Sequence, residues 1–159
     1  MVYLQLLFLL LVANGAPIVA RWIFRDRWDF PIDGGAKFFD GRPIFGASKT
    51  YRGVFSSCVT TTLAASLLGF PFQVGLLIGL YAMVGDGLSS FLKRRLGMVS
   101  GAKALGVDQI PESALPLFGL WSSLNLTFAG IVVTVCLFFA LELGLSVILF
   151  RFHLRKHPY

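Results

Sequence analysis

The chain has little cysteine and little histidine. Its two cysteines, Cys58 and Cys136, both fall within apolar runs, so a disulfide framework or a zinc site is not indicated. Both histidines, His153 and His157, lie near the C-terminus, so the rest of the sequence offers no imidazole as nucleophile or base. These absences favour chemistry that needs neither a thiol nor an imidazole.

Cations are also missing from long stretches of the chain. All 14 Lys and Arg residues fall into three blocks, Arg21–Arg52, Lys93–Lys103 and Arg151–Lys156, and the N-terminus carries none of them. The positive-inside rule places such blocks in the cytoplasm and the N-terminus outside. With 56% hydrophobic residues, against roughly 45–50% in a soluble domain, residues 1–159 are interpreted as one membrane-embedded domain of the cell membrane. Anionic lipids are expected partners, and nucleic acid is not.

The apolar runs predict an all-α integral membrane protein. Four runs are visible: Val2–Ala20, Val54–Phe70, Phe72–Leu92 and Ser113–Phe150. A single helix over the last run would measure about 57 Å, against a hydrocarbon core of about 30 Å. We therefore expect two helices joined between Ser122 and Gly130. Five spans follow, with the N-terminus outside, the C-terminus in the cytoplasm, and two cytoplasmic loops forming the site.

Two local patterns predict helix packing. Asn14 and Pro17 indicate a break in the first span, because proline removes a backbone donor. Gly75 and Gly79 have the small-xxx-small spacing that lets two membrane helices approach closely.

Asp86 is the most informative acidic residue, because a carboxylate inside a span is costly unless it has a function. Helical spacing places it on one face with Ser89, Ser90 and Lys93. It is either part of an active site or one half of an ion pair with Lys93 or Arg94 that ends the helix. The basic cluster that starts at Lys93 can hold phosphate, anchor the topology, or do both.

Two further acids are candidates. Asp108, in the second loop, could join Asp86 in binding a divalent cation through hard oxygen ligands, or it could be an exposed loop residue. Glu142 lies within the last span. It could be protonated and hydrogen-bonded between helices, or it could line the site.

The first loop is rich in glycine, cations and hydroxyl groups. Gly41 and Gly46 have the separation of a P-loop, but Lys49 and Thr50 come two residues late and no buried strand precedes them, so we reject a Walker A motif. Arg42, Lys49 and Arg52, with the hydroxyl groups of Ser48 and Thr50, are suitable donors to phosphate oxygens. Phosphoryl and nucleotidyl transfer depend mainly on positioning, metal and cations, so they suit a site without histidine.

The chain resembles the CDP-archaeol synthase family from the first span to the second loop. The resemblance rests on Ala13-Asn14-x-x-Pro17, Asp40-Gly41-Arg42-Pro43-x-Phe45-Gly46-x-Ser48-Lys49-Thr50-x-Arg52-Gly53, Gly85-Asp86 with Ser90-Phe91-x-Lys93-Arg94-Arg95, and Asp108-Gln109. Members of that family are small five-span, magnesium-dependent cytidylyltransferases. They join CTP to 2,3-di-O-geranylgeranylglyceryl phosphate, an unsaturated archaeal ether lipid, and release pyrophosphate and CDP-archaeol.

The resemblance implies roles for particular residues. Metal, as Mg²⁺, is expected at Asp86 and Asp108. From the residues themselves we also expect catalytic roles for Asp86, Lys93 and Arg94, with the lipid head group near Asp86 and Arg94. Nucleotide contacts are expected from Asp40, Gly41, Arg42, Gly46, Ser48, Lys49, Thr50 and Arg52.

Three other functions are compatible with parts of the sequence. A phosphatidate-type cytidylyltransferase would act on another lipid phosphate, since an apolar groove accepts isoprenoid and acyl tails alike. A CDP-alcohol phosphotransferase is disfavoured, because its aspartate pattern is not continued by Leu88-Ser89-Ser90 after Gly87. A non-enzymatic membrane scaffold or carrier would use the basic loops to hold anionic lipid. The oligomeric state stays open.

Overall fold

A computed structural model describes the backbone of residues 1–151 and the side chains of residues 1–146. It contains five α-helices, which confirms the all-α prediction: α1 Val2–Phe24, α2 Tyr51–Leu67, α3 Phe72–Arg95, α4 Gln109–Gly119 and α5 Phe128–Arg151. Within that part of the chain, α1, α3 and α5 are long and apolar enough to cross a membrane, whereas α2 has 17 residues and α4 only 11. The predicted cytoplasmic tail lies outside the described residues from residue 152 onwards.

The last apolar run is divided into two helices, as its length predicts. The connection lies between Gly119 and Phe128, slightly earlier than expected, and it contains Asn125 with a left-handed φ of 48°. α4 also begins at Gln109, four residues before the apolar run, because the polar Gln109 and Glu112 are buried against neighbouring helices rather than left in a loop.

The predicted break in the first span is wrong, because α1 continues through Pro17. Asn14 Nδ2 donates to the carbonyl oxygen of Leu10 at 3.0 Å, within the helix. Pro17 packs against Gly53 of α2, where an added Cβ would lie 3.5 Å from the proline Cβ, an ordinary contact distance. The proline therefore removes one donor without interrupting the helix, and it serves as a contact between α1 and α2.

α3 is the central helix, with α2 on one side and α4 on another. A Cβ at Gly75 would lie 2.6 Å from Thr62 Cα, and one at Gly79 would lie 2.9 Å from Cys58 Cα. These close approaches confirm the packing role predicted for the two glycines. The same helix carries Asp86, Lys93 and Arg94, so its packing determines where their side chains point.

The first loop, residues 25–50, folds into a short irregular hairpin at the end of α3. Isolated bridges join Pro31 to Thr50 and Lys37 to Pro43, and Ile32 N donates to Lys49 O at 2.8 Å. This pairing fixes the end of the loop, where Ser48 and Lys49 directly precede α2, against its earlier part at Pro31 and Ile32.

Candidate functional site

The first loop and the second loop, residues 96–108, meet beside the end of α3. Ser48 N donates to Ser100 Oγ at 3.2 Å. Gly46 has a left-handed φ of 89°, and a Cβ at this position would lie 2.8 Å from the same hydroxyl oxygen. Only glycine fits both the conformation and the space there. The two loops that the sequence predicts to share a site are therefore in contact.

Lys49 and Asp86 form the first ion pair of the site. Their Nζ and Oδ1 atoms lie 2.5 Å apart, and both side chains are largely but not fully buried, at 18% and 21% exposure. The pair lines a cavity between α1, the first loop, α2 and α3, to which Pro17, Arg21 and Arg52 also contribute. Lys49, rather than Lys93 or Arg94, is thus the cation that accompanies Asp86.

Lys93 and Asp108 form a second ion pair, with Nζ and Oδ1 2.6 Å apart. Lys93 also donates to Ala102 O at 2.8 Å, while Asp108 Oδ2 accepts from Ala104 N at 2.9 Å. Asp108 is buried, so the alternative of an exposed loop residue is wrong. Both carboxylate oxygens of Asp108 therefore have partners, Oδ1 the ammonium group and Oδ2 a backbone amide.

Arg94 is buried, with only 3% of its surface exposed. Within the described part of the chain its buried Nε atom donates no hydrogen bond, and its charge interacts with the carboxylate of Asp108. A buried N–H donor without a hydrogen-bonded partner is costly, and an oxyanion would compensate that cost by accepting from the guanidinium group. The feature is typical of a phosphate-binding position.

Asp40 and Arg42 attach the first loop to the end of α3. Arg42 donates to the carbonyl oxygen of Arg95 at 2.5 Å, and Arg95 donates in return to Asp40 Oδ1 at 2.8 Å. The Arg95 guanidinium also covers the rings of Phe38 and Phe91, at 4.8 and 4.9 Å from their centroids. These contacts satisfy the last carbonyl groups of α3 and fix the hairpin in place.

Arg52 and Thr50 have structural partners as well. Arg52 Nη2 lies 2.5 Å from Asp29 Oδ1, and its Nη1 donates to the carbonyl oxygens of Arg25 and Arg27. Thr50 is the N-cap of α2, since its hydroxyl accepts from Gly53 N at 3.2 Å. Arg52 therefore ties the chain that follows α1 to the first turn of α2.

Asp33 organises the glycine-containing turn of the first loop. Its Oδ2 atom accepts from Phe45 N at 2.9 Å and Gly46 N at 2.8 Å, and Oδ1 accepts from Gly35 N at 3.0 Å. Burial opposes ionisation, but the backbone hydrogen bonds from Gly46, Phe45 and Gly35 outweigh it and lower the pKa of Asp33. The amide of Gly46 is thus occupied by a carboxylate of the protein itself.

Glu112 of α4 faces Asp86. Its carboxyl group is buried, lies close enough to Asp86 for a shared hydrogen bond, and is near Lys49 and Glu142. Gly85 makes this arrangement possible, because a Cβ there would overlap the Pro111 carbonyl group and lie 2.7 Å from Glu112 N. Because Glu142 of α5 is near Glu112, it is part of the surroundings of the site.

These carboxyl groups suit a small divalent cation. Asp86, Glu112 and Asp108 supply hard oxygen atoms, and the carboxylates of Asp86 and Asp108 are each paired with a lysine ammonium group. Among the residues with described side chains, no cluster of three metal-ligating groups is already assembled. Mg²⁺ in nucleotide sites needs only one or two carboxylates, because the phosphates complete its coordination. The donor set therefore fits Mg²⁺.

Several residues of this site were not singled out from the sequence. Glu112 had one available signal, since it lies four residues after Asp108 and so on the same helical face. Asp33 and Ser100 had none, because their importance comes from contacts between segments that are far apart in the sequence.

Comparison with known proteins shows which family the chain resembles. Residues 68–159 match a family model described as CarS-like, CDP-archaeol synthase. A CDP-archaeol synthase of Hyperthermus butylicus is 36% identical over 79% of both chains, and one of Pyrobaculum aerophilum is 32% identical over 93% of this chain and 92% of its own. A solved structure described as an intramembrane enzyme for archaeal membrane lipid biosynthesis superposes with a TM-score of 0.72 at 28% identity, covering 90% of this chain and 91% of that one. The helices, the paired charges and these relatives agree, and the chain belongs to the CDP-archaeol synthase family.

Proposed function

We propose that this protein is a membrane-bound cytidylyltransferase that joins CTP to 2,3-di-O-geranylgeranylglyceryl phosphate and releases CDP-archaeol and pyrophosphate. The observation that carries the proposal is the Lys49–Asp86 pair. It lines a cavity beside apolar helices, in a chain whose relatives are named CDP-archaeol synthase. We further propose that the site faces the cytoplasm, on the side of the basic loops.

The reaction is a displacement at the α-phosphorus of CTP. An oxygen of the lipid phosphate forms a bond to that phosphorus, while the bond from it to the oxygen shared with the β-phosphorus breaks. Pyrophosphate leaves with the electron pair. A phosphomonoester with a second pKa of about 6 is largely ionised at neutral pH, so its oxygen attacks without a general base. This requirement suits a site whose described residues include no histidine.

The negative charge of the CTP triphosphate must be neutralised by cationic side chains. The buried Nε atom of Arg94 has no hydrogen-bonded partner in the described chain, so we assign Arg94 to the phosphates. Lys49 and Lys93 are each paired with a carboxylate, and they turn to phosphate oxygens when that carboxylate takes another partner. Ser48 precedes Lys49 and contacts Ser100 of the second loop, and we assign its hydroxyl group as a further donor to the phosphates.

We propose that Asp86 and Asp108 hold Mg²⁺, with Glu112 beside Asp86. Bound there, the ion would neutralise charge that develops on the phosphate oxygens. The remaining predicted nucleotide-binding residues already have partners within the protein for their polar groups, so we propose that they shape the first loop instead of contacting CTP. These residues are Asp40, Gly41, Arg42, Gly46, Thr50 and Arg52. Their contribution to nucleotide binding is to position Ser48 and Lys49.

The test is pyrophosphate release by the purified protein in detergent, with CTP, Mg²⁺ and either the geranylgeranyl ether lipid phosphate or phosphatidic acid. We expect turnover with the ether lipid. Turnover with phosphatidic acid alone would preserve the reaction but replace the substrate. Asp86→Asn should abolish turnover, and Asp26→Asn, at an exposed loop position, is the matched control.

A membrane scaffold that holds anionic lipid would behave differently. It would bind lipid through its basic loops but would not bind CTP in a magnesium-dependent manner. We expect such CTP binding in the wild type, its loss in Lys49→Met, and its retention in Lys37→Met, where the lysine is exposed. Equal CTP binding by both variants would refute the role of Lys49.

A further inference from the structure

In the cavity that contains Lys49 and Asp86, one lining cation has no anionic partner among the described residues. Its five charged side chains include two ion pairs, Lys49 with Asp86 and Arg52 with Asp29. The fifth is Arg21, whose side chain has no hydrogen bond or ion pair with any described residue. Among the side chains that line the cavity, Arg21 is therefore the cation without a counter-charge, and its exposed guanidinium group can bind an anion.

Arg21 lies where a membrane lipid would present its phosphate. It is in the last turn of α1, a helix whose 23 residues correspond to about 34 Å, close to the thickness of the hydrocarbon core. Its neighbours Ile18 and Trp22 are 52% and 81% exposed, as expected for side chains that face lipid. A long arginine side chain at such a boundary keeps its guanidinium group at head-group level.

Arg21 shares its cavity with Lys49, which is assigned to the nucleotide phosphates, but not with the other cations of that assignment. Lys93, Arg94 and Asp108 do not belong to the described lining of the cavity, whereas Lys49 and Asp86 do. Arg21 and Arg94 are therefore two distinct cations, and only Arg21 lines the cavity of the Lys49–Asp86 pair. Phosphoryl transfer can use two such cations, because the attacking and leaving oxygens belong to different phosphates and lie roughly in line across the phosphorus.

We propose that Arg21 binds the phosphate of the lipid substrate and that the lipid enters beside the C-terminal half of α1. The inference rests on the proposed function and adds a subsite to it. The ligand is a phosphomonoester whose apolar chains stay in the membrane, along the exposed face of α1 that includes Ile18. Arg21 orients the attacking oxygen towards the α-phosphorus held near Asp86.

Steady-state kinetics in mixed micelles test the proposal, with the mole fraction of lipid phosphate and the concentration of CTP varied separately. Arg21→Gln should raise the KM for the lipid about 10- to 100-fold, as expected for a lost hydrogen bond between charged groups. Its Kd for CTP should stay within twofold of the wild type. Arg21→Lys should recover part of the loss, because it restores the charge but not the two-pronged geometry.

Arg27→Gln is the matched control. Its side chain is exposed near the same membrane surface and does not line the cavity, so it reports general attraction of anionic lipid. If Arg21→Gln and Arg27→Gln have equal KM values for the lipid, the proposal is overturned. It is also overturned if Arg21→Gln weakens CTP binding as strongly as lipid binding. A thermal melt of each variant confirms that it is folded.

Tryptophan fluorescence tests lipid binding at Arg21 independently of turnover. Lipid phosphate in micelles should change the fluorescence of Trp22, next to Arg21, while the corresponding lipid alcohol should not. Absence of turnover in the wild type would refute the proposed function. The subsite would still stand if Arg21→Gln lost the phosphate-dependent fluorescence change, and it would fall if that change persisted.

Discussion

The close contact between α3 and α4 at Gly85 provides a sharp test of how the site is assembled. In Gly85→Ala the new methyl group would lie 2.7 Å from Glu112 N and would overlap the carbonyl group of Pro111. Carbon atoms pack comfortably at about 3.5–4.0 Å, so α4 must move by about 1 Å. Both opposing groups belong to the backbone, so no change of side-chain rotamer can relieve the overlap.

The expected cost has two parts. Overpacking destabilises by about 1–3 kcal/mol. A displacement of about 1 Å in a catalytic arrangement can lower the rate about 100-fold, and here it moves Glu112 away from Asp86 and Asp108 away from Lys93. The assay is pyrophosphate release at saturating CTP and lipid, alongside a thermal melt.

Gly15→Ala is the control, because nothing lies within 4 Å of the methyl group it would add in α1. That variant should keep wild-type turnover. If folded Gly85→Ala also retains turnover within twofold, the close α3–α4 contact is not what holds the acidic groups of the site in place.

Three further outcomes are expected. Arg94→Met should weaken CTP binding about 10- to 100-fold without lowering the melting temperature, because it removes a buried charge whose Nε donor lacks a hydrogen-bonded partner; a lower melting temperature with unchanged CTP binding would contradict this. Gly79→Ala should destabilise the protein by about 1–3 kcal/mol through its contact with Cys58, measured by denaturant titration in mixed micelles, with Gly15→Ala again as reference. Because the pKa of Asp33 is lowered in the folded protein, the ionised Asp33 carboxylate stabilises the fold. That stabilisation is complete above the ordinary aspartate pKa of 3.8 and is lost as pH falls through the lower pKa of the folded state. Asp33→Asn should remove that component of the acid-induced fall in melting temperature, and an unchanged pH profile would argue against it.

Much of the fold follows from the sequence because membrane constraints act locally. A run of about 20 apolar residues is read as a helix wherever it occurs, and a longer run must divide. The division of the last run was therefore predictable, although its position shifted from beyond Ser122 to the segment after Gly119. The continuation of α1 through Pro17 was not predicted, because proline in an apolar run can either break a membrane helix or be accommodated by its neighbours, as here beside Gly53 of α2.

By itself the sequence determined which residues are chemically suited to the site: an intramembrane carboxylate at Asp86, a second acid at Asp108 and a loop rich in cations. Tertiary structure alone decided their partners. Lys49 meets Asp86 across 37 positions of sequence, and Arg42 and Arg52 bind carbonyl groups and carboxylates of the protein itself. The physical reason is that charge and hydrogen-bonding capacity belong to single residues, whereas pairing depends on which helix faces come together, and that is set by backbone contacts such as the one at Gly85.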